Sequence, residues 1–372
     1  MSDRPEADRV TGTPHPRDCP RLIGHAAAEA EILASFDEGR LHHAWLLTGP
    51  QGVGKATLAW RLARFLIATP PQDGSSLFGE SVPLTSLDIP DDHPVARRMI
   101  AGAEPGLCSI TRPFDEKAKR LKAQITVEEL RRLSGFFGLS AADGGRRVVI
   151  IDSADEMNAS AANALLKMLE EPPRNAILLL ISHQPARLLP TIRSRCRTLR
   201  LGTLGPADMA AAVTAAGGQV DPASAAALSE LAQGSVGAAL RLLSQDGLGI
   251  YAELVALLAT SPQLDRQRAL ALANSCAGRQ NEARLDLVLQ LLDVALARLA
   301  RAGALGRAPE VQAARGESTM ASRLAPDAQA GRRWAARAQV IGDRARHARG
   351  VNVDPATLVL DALLSLQDPV PT

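Results

Sequence analysis

Between residues 44 and 201 the apolar positions come in short unbroken runs. Ala44-Trp45-Leu46-Leu47, Val148-Val149-Ile150-Ile151 and Ala176-Ile177-Leu178-Leu179-Leu180-Ile181 leave no polar face. Such runs predict strands buried on both sides, as in a parallel sheet covered by helices. Residues 107–110 and 197–201 read as two further, shorter strands. Between the runs the spacing becomes helical. Leu58, Leu62, Phe65 and Leu66 follow the first strand, and Ala162, Leu165, Leu166 and Leu169 fall at i, i+3, i+4 and i+7 before Pro172-Pro173 stops the helix. Thr126 with Glu129 three residues on has the pattern of a capping box, which opens a helix over 127–137.

Alternating strands and helices of this kind predict a doubly wound α/β domain over residues 21–202. Beyond Gly205-Pro206 the strand signal ends. Three short helical patterns, broken by Gly217-Gly218 and Gly234, predict a small helical unit over 203–248. A larger all-α unit over 249–372 carries the stripe Leu285, Val288, Leu289, Leu292, Leu296 and Leu299, with two more helices over 334–347 and 355–366. Residues 303–330, rich in Ala, Gly, Arg and Pro, read as a flexible insertion.

Composition narrows the class. A chain of 372 residues with 46% hydrophobic and 22% charged positions is globular and sized for two or three domains. The net charge of +2 is too small for a chain that grips nucleic acid unaided. None of the four cysteines lies in a CxxC pair, which argues against a zinc site and a disulfide framework and fits a reducing, cytoplasmic compartment. Residues 1–20, rich in Pro, Asp and Arg, read as a disordered tail rather than a secretory leader.

The first strand runs into Gly49-Pro50-Gln51-Gly52-Val53-Gly54-Lys55-Ala56-Thr57 and then a helix, the setting of a phosphate-binding loop. Gly49, Gly52 and Gly54 free the backbone to turn its N–H groups toward phosphate oxygens, and Lys55 reaches the outer phosphates. The motif asks for Ser or Thr after the lysine to hold a metal ion, and this chain has Ala56. Thr57 is one residue late, about 100° round the helix. The strand over 147–152 delivers Asp152 to its C-terminal end, where P-loop enzymes hold their metal. Ser153 follows where a hydrolytic site needs a carboxylate base. Asp155 reads as a substitute base or, better, as a local cap. The irregular stretch 69–106 contains His93 beside Asp91 and Asp92, which reads as a solvated loop histidine.

With Asn163-Ala164-Leu165-Leu166-Lys167-Met168-Leu169-Glu170-Glu171-Pro172-Pro173 followed by Ser194-Arg195-Cys196, the chain resembles the clamp-loader branch of the AAA+ proteins, from about Leu22 to the last helix. The resemblance implies a P-loop AAA+ domain, a helical lid (203–248) and a helical collar (249–372). It implies a place in the clamp loader of a bacterial DNA polymerase III. The partners would be a motor subunit, a delta-like subunit, the sliding clamp and, through the complex, primed DNA. Arg195 matches the arginine that enters a neighbouring subunit's nucleotide site in trans. Gly237 stands where motor subunits carry a sensor arginine, so Ala56, Ser153 and Gly237 together imply a non-motor subunit with absent or feeble hydrolysis. ATP or ADP remains a candidate ligand, and no zinc is carried over. The rival reading is an active AAA+ ATPase, a motor or DNA-remodelling ring, with Thr57 and Asp155 in the missing roles.

Overall fold

The structure, a computed structural model, describes residues 5–19, 21–69, 85–138 and 145–367. Most of the proline- and serine-containing part of the expected 69–106 loop, residues 70–84, lies outside them. The chain forms two compact units, residues 1–219 with 234–237 and residues 220–233 with 238–372.

The first unit is the α/β layer structure expected from the strand runs. Its elements in order are α1 (Ala26–Asp37), β1 (Ala44–Thr48), α2 (Lys55–Ala68), α3 (Pro94–Ile100), β2 (Leu107–Ile110), a hairpin of β3 (Phe114–Asp115) and β4 (Arg120–Leu121), and α4 (Val127–Gly138). They continue with β5 (Arg147–Asp152), α5 (Ala159–Glu170), β6 (Ala176–Ser182), α6 (Pro190–Arg193), β7 (Arg197–Arg200) and α7 (Pro206–Ala215). Five strands make one sheet in the order β2-β5-β6-β1-β7, with every pair parallel. Successive strand residues point to opposite faces. Leu46, Val149, Ile151, Leu178 and Leu180 therefore share one core with Leu130 and Leu133 of α4 and Leu165 and Leu169 of α5. The other face takes α2, which packs on β1, β5 and β6. The sheet register sets Asp152 opposite Ile181 and Thr48 opposite Ser182, so the glycine loop and the acidic strand end open at the same edge.

Local sequence explains the helix starts. Glu129 accepts from the Thr126 N–H at 2.8 Å and from its hydroxyl at 2.6 Å, and Asn158 caps α5 by accepting from Ala161 N–H. His93 does the same for α3, its Nδ1 accepting from Val95 N–H at 3.2 Å. It lies in the loop ahead of α3, half-exposed, and caps that helix.

The second unit is helical: α8 (Ala225–Ala232), most of α9 (Val236–Ser244), α10 (Gly247–Ala259), α11 (Arg266–Asn274), α12 (Glu282–Leu305), α13 (Glu317–Leu324), α14 (Ala328–Gly350) and α15 (Pro355–Leu364). Of the leucine stripe, Leu285, Val288, Leu292, Leu296 and Leu299 are buried in α12, together with Leu287, Leu291 and Val294, while Leu289 is half-buried. Among the described residues no single helix is long and apolar enough to cross a membrane.

Two sequence expectations are corrected. Residues 303–330 are not a flexible insertion: they contain the end of α12, all of α13 and the start of α14. Their small residues serve helix contact, since a Cβ on Gly303 would stand 2.7 Å from Gly331 Cα, and buried Glu317 anchors the turn between the helices. Residues 5–19 are not a disordered tail. They carry a 3₁₀ turn at Pro16–Asp18, the His15 ring lies edge-on to Trp60, and Arg64 of α2 donates to Arg17 O at 2.6 Å.

Candidate functional site

The loop between β1 and α2 takes a conformation that only glycine adopts freely. Gly49, Gly52 and Gly54 have φ of 140°, 77° and 110°. A Cβ on Gly49 would also stand 2.2 Å from Leu201 O. The loop is braced from distant parts of the chain. His25 Nε2 donates to Val53 O at 2.7 Å, Ser235 Oγ to Gln51 O at 2.8 Å, and Gly237 N–H to Gly52 O at 3.0 Å. At the head of α2, Lys55 is 3% exposed. Its Nζ donates to Gly49 O at 2.7 Å and Pro50 O at 2.5 Å. Burial pulls the Lys55 ammonium down to about 8, against the charges of Asp152 and Asp155, which favour its protonated form.

The end of β5 supplies the acidic groups. Asp152 is buried, and loss of solvent pushes its carboxyl up to about 7; the charge of Asp8 adds to that rise, while Ser153 and Lys55 oppose it. Ser153 Oγ donates to Asp152 Oδ1 at 3.1 Å and lies 3.2 Å from His183 Nε2. Burial, then the charge of Lys55, lowers His183 to about 4, so its ring is neutral and Nε2–H donates to the serine oxygen. Asp155 accepts from the N–H groups of His183 and Gln184 at 3.0 and 3.2 Å. It ties down the end of β6 rather than acting as a free base or capping its own turn. Glu156 is paired with Arg112 at 2.6 Å. The glycine loop and Lys55 thus suit a phosphate group. Ala56 offers no hydroxyl to a metal, and the residue after Asp152 is a hydroxyl bonded to a neutral imidazole.

The second feature is the corner between α6 and β7. Pro190 starts α6, Ser194 Oγ closes onto Thr191 O at 3.2 Å, and Cys196 packs against the α4–α5 core. Burial pushes the Cys196 thiol up to about 12, so it acts as an apolar anchor. Between these two fixed residues Arg195 points outward, 36% exposed, with Nη2 2.9 Å from Glu170 Oε1 and Nη1 donating to Thr191 O at 3.1 Å. Arg197 is structural, stacked over Trp45 and paired with Glu31 at 3.0 Å.

The predicted site residues therefore form two groups. Gly49, Gly52, Gly54, Lys55 and Asp152 gather at one edge of the sheet, Thr57 follows on α2, and Arg195 belongs to the separate corner. His25, Ser235 and His183 complete the first group, and the ion pair to Glu170 completes the second. His25 and Ser235 reach loop carbonyls across 28 and 184 residues, so no motif spacing marks them. Glu170 stood in view within the Glu170-Glu171-Pro172-Pro173 signature.

The family described as "DNA polymerase III, delta subunit" matches residues 24–205. DNA polymerase III subunit delta' of Pseudomonas aeruginosa is 41% identical over 154 residues, 41% of this chain and 41% of that protein. The chain thus spans less than half the length of that relative in the match. Subunit delta' of Escherichia coli strain K12 is 34% identical over 271 residues, 72% of this chain and 74% of that protein. A solved gamma subunit-related protein of Thermotoga maritima has a TM-score of 0.42 at 18% identity, covering 91% of this chain and 98% of its own.

Proposed function

We propose, for a chain that belongs to the DNA polymerase III delta' family, the role of a non-motor clamp-loader subunit that gives Arg195 in trans to the nucleotide site of a neighbouring ATPase subunit. The sliding clamp, primed DNA, a motor subunit and a delta-like subunit are then its partners in the cytoplasm, and the helical regions over 203–248 and 249–372 serve as lid and collar. The contrast between the two groups of residues carries the reading. Arg195 points outward beside the half-buried anchor Cys196. The chain's own pocket has Ser153, engaged with His183, in place of a base.

Gly49, Gly52, Gly54, Lys55, Thr57 and Asp152 would hold ATP or ADP in that pocket as a structural ligand. A nucleotide there supplies negative charge, which Lys55 and the loop amides balance. Without a hydroxyl at Ala56 or a carboxylate at Ser153, the site lacks the groups that position a metal and activate water.

The test is reconstitution of the complex with Arg195→Ala or Lys55→Ala in this chain. Arg195→Ala is expected to lower DNA-stimulated ATP hydrolysis at the facing site toward the ~10³-fold loss typical of a missing arginine finger. Lys55→Ala is expected to change it little. Equal losses from both substitutions overturn the reading.

A further inference from the structure

Residues 5–19 run between α2 and Gly237, the residue of α9 that braces the glycine loop. The path is set by His15, whose ring is 5% exposed and edge-on to Trp60, with centroids 5.3 Å apart. Its Nδ1 accepts from Arg17 N–H at 3.0 Å and its Nε2–H donates to Asp8 at 3.1 Å, so both nitrogens are used in one neutral tautomer. The pair folds the segment back on itself across seven residues. A turn closes the fold, with Thr13 N–H and Oγ1 both donating to Val10 O, at 3.1 and 2.7 Å.

This turn lies against Gly237, whose N–H braces the glycine loop at Gly52 O. A Cβ on Gly237 would stand 3.7 Å from Val10 Cγ2 and 3.0 Å from Gly52 Cα, so Val10 sits at the junction where α9 braces the loop. The Asp8 side chain is only 8% exposed, and its charge acts on Asp152 at the acidic strand end. A poorly solvated carboxylate whose charge reaches Asp152, at the edge where the glycine loop opens, opposes an anion taken there, because screening is weak.

We propose that the N-terminal segment is an autoinhibitory cover of the chain's own glycine loop, with Asp8 as the repelling charge and His15 as the latch, and that nucleotide enters only when the segment swings away. The proposal rests on the reading that the glycine loop takes nucleotide, and not on the role of Arg195. A cover closed most of the time lowers apparent affinity in proportion to the open fraction.

The experiment titrates the full chain, Asp8→Asn and His15→Ala with ADP by calorimetry and follows hydrogen exchange of the amides over 6–18. Asp8→Asn keeps an acceptor for His15, so it tests the charge without dismantling the turn. The expected result is at least about tenfold tighter ADP binding by both variants. In the unaltered chain, ADP is expected to speed exchange of the 6–18 amides. Equal affinity in all three forms, or binding that leaves that protection unchanged, overturns the cover alone. No binding by any form overturns the nucleotide reading together with the cover.

Discussion

Arg195 is bridged to Glu170, the last residue of α5, with Nη2 2.9 Å from Oε1. The two parts of the sequence signature that marked the clamp-loader resemblance therefore meet in space. The bridge holds Arg195 in one direction, and it also competes with any phosphate the guanidinium would meet outside the chain. Both partners are substantially exposed, so the pair is worth ~0–1 kcal/mol. Glu170→Gln is accordingly expected to leave the unfolding midpoint of the isolated chain nearly unchanged. It should raise ATP hydrolysis in the reconstituted complex by up to about fivefold, since the arginine is released. A loss comparable to that of Arg195→Ala would mean that Glu170 positions the Arg195 side chain rather than restrains it.

Gly237 and Gly52 touch through their backbones, and the resemblance sets an arginine at 237 in the motor subunits. In this chain a Cβ at 237 would lie 3.0 Å from Gly52 Cα, a backbone atom that cannot rotate away. The same residue donates its N–H to Gly52 O. Gly237→Ala is therefore expected to push α9 off the loop at a cost of ~1–3 kcal/mol, the usual range for overpacking. Urea unfolding of the full chain reads this directly; an unchanged midpoint would show that the contact yields freely.

The strand end predicts a pH dependence with two opposing parts. His183 lies at about 4 in the folded chain against an ordinary 6.5. Between those values the unfolded chain binds a proton that the folded chain refuses, so this group makes stability fall as pH drops from 6.5 to 4. Asp152 lies at about 7 against an ordinary 3.8. Its folded form keeps a proton that the unfolded chain has lost, so its contribution is full below 3.8 and is lost as pH rises to 7. Asp152→Asn removes the second part, and its stability should rise more steeply with pH between 4 and 6.5 than that of the unaltered chain. In NMR the His183 ring should titrate near 4. Lys55→Met should raise that midpoint part of the way to normal, because burial, the larger cause, remains.

How much of this was legible in the sequence follows from the range of the interactions. The sheet was readable because each buried strand is a continuous apolar run, and the glycine loop because its residues are adjacent. His25, Ser235 and the Arg195–Glu170 pair act between segments that only the fold brings together. The N-terminal segment was misread because its order comes from His15 against Trp60 and from Arg64 on Arg17 O, contacts invisible in a composition rich in proline and charge. Residues 303–330 were misread for the opposite reason. Alanine and glycine, the residues of a linker, are also those that let two helices approach closely, as Gly303 and Gly331 do.

The largest expected stability effect lies within this stretch, at the head of α13. Glu317, at the head of α13, is 1% exposed. Its Oε1 accepts from Tyr251 Oη at 2.7 Å and Arg298 Nε at 2.6 Å, and its Oε2 from Arg298 Nη2 at 3.2 Å and Ala313 N–H at 2.6 Å. Burial works against the charge of Arg298, but the bonds and charge of Glu317 outweigh it and push the guanidinium above its ordinary range. Burial and the same carboxylate push the Tyr251 phenol up, so it stays a donor. Every polar atom of the carboxylate is thus engaged, and removing its charge leaves Arg298 without its main partner. Glu317→Gln is expected to cost up to ~3–5 kcal/mol, the range for losing one member of a buried pair, reduced because Arg298 keeps Glu230 at 2.9 Å. Tyr251→Phe, which removes one bond to a charged group, is expected to cost ~1.5–3 kcal/mol. Because both touch the same oxygen, the double variant should cost less than the sum of the two. Chemical denaturation followed by hydrogen exchange over 306–316 checks the assignment: protection there should disappear in Glu317→Gln before the rest of the helical unit opens. If exchange in that turn is already fast in the unaltered chain, the anchor does not hold it.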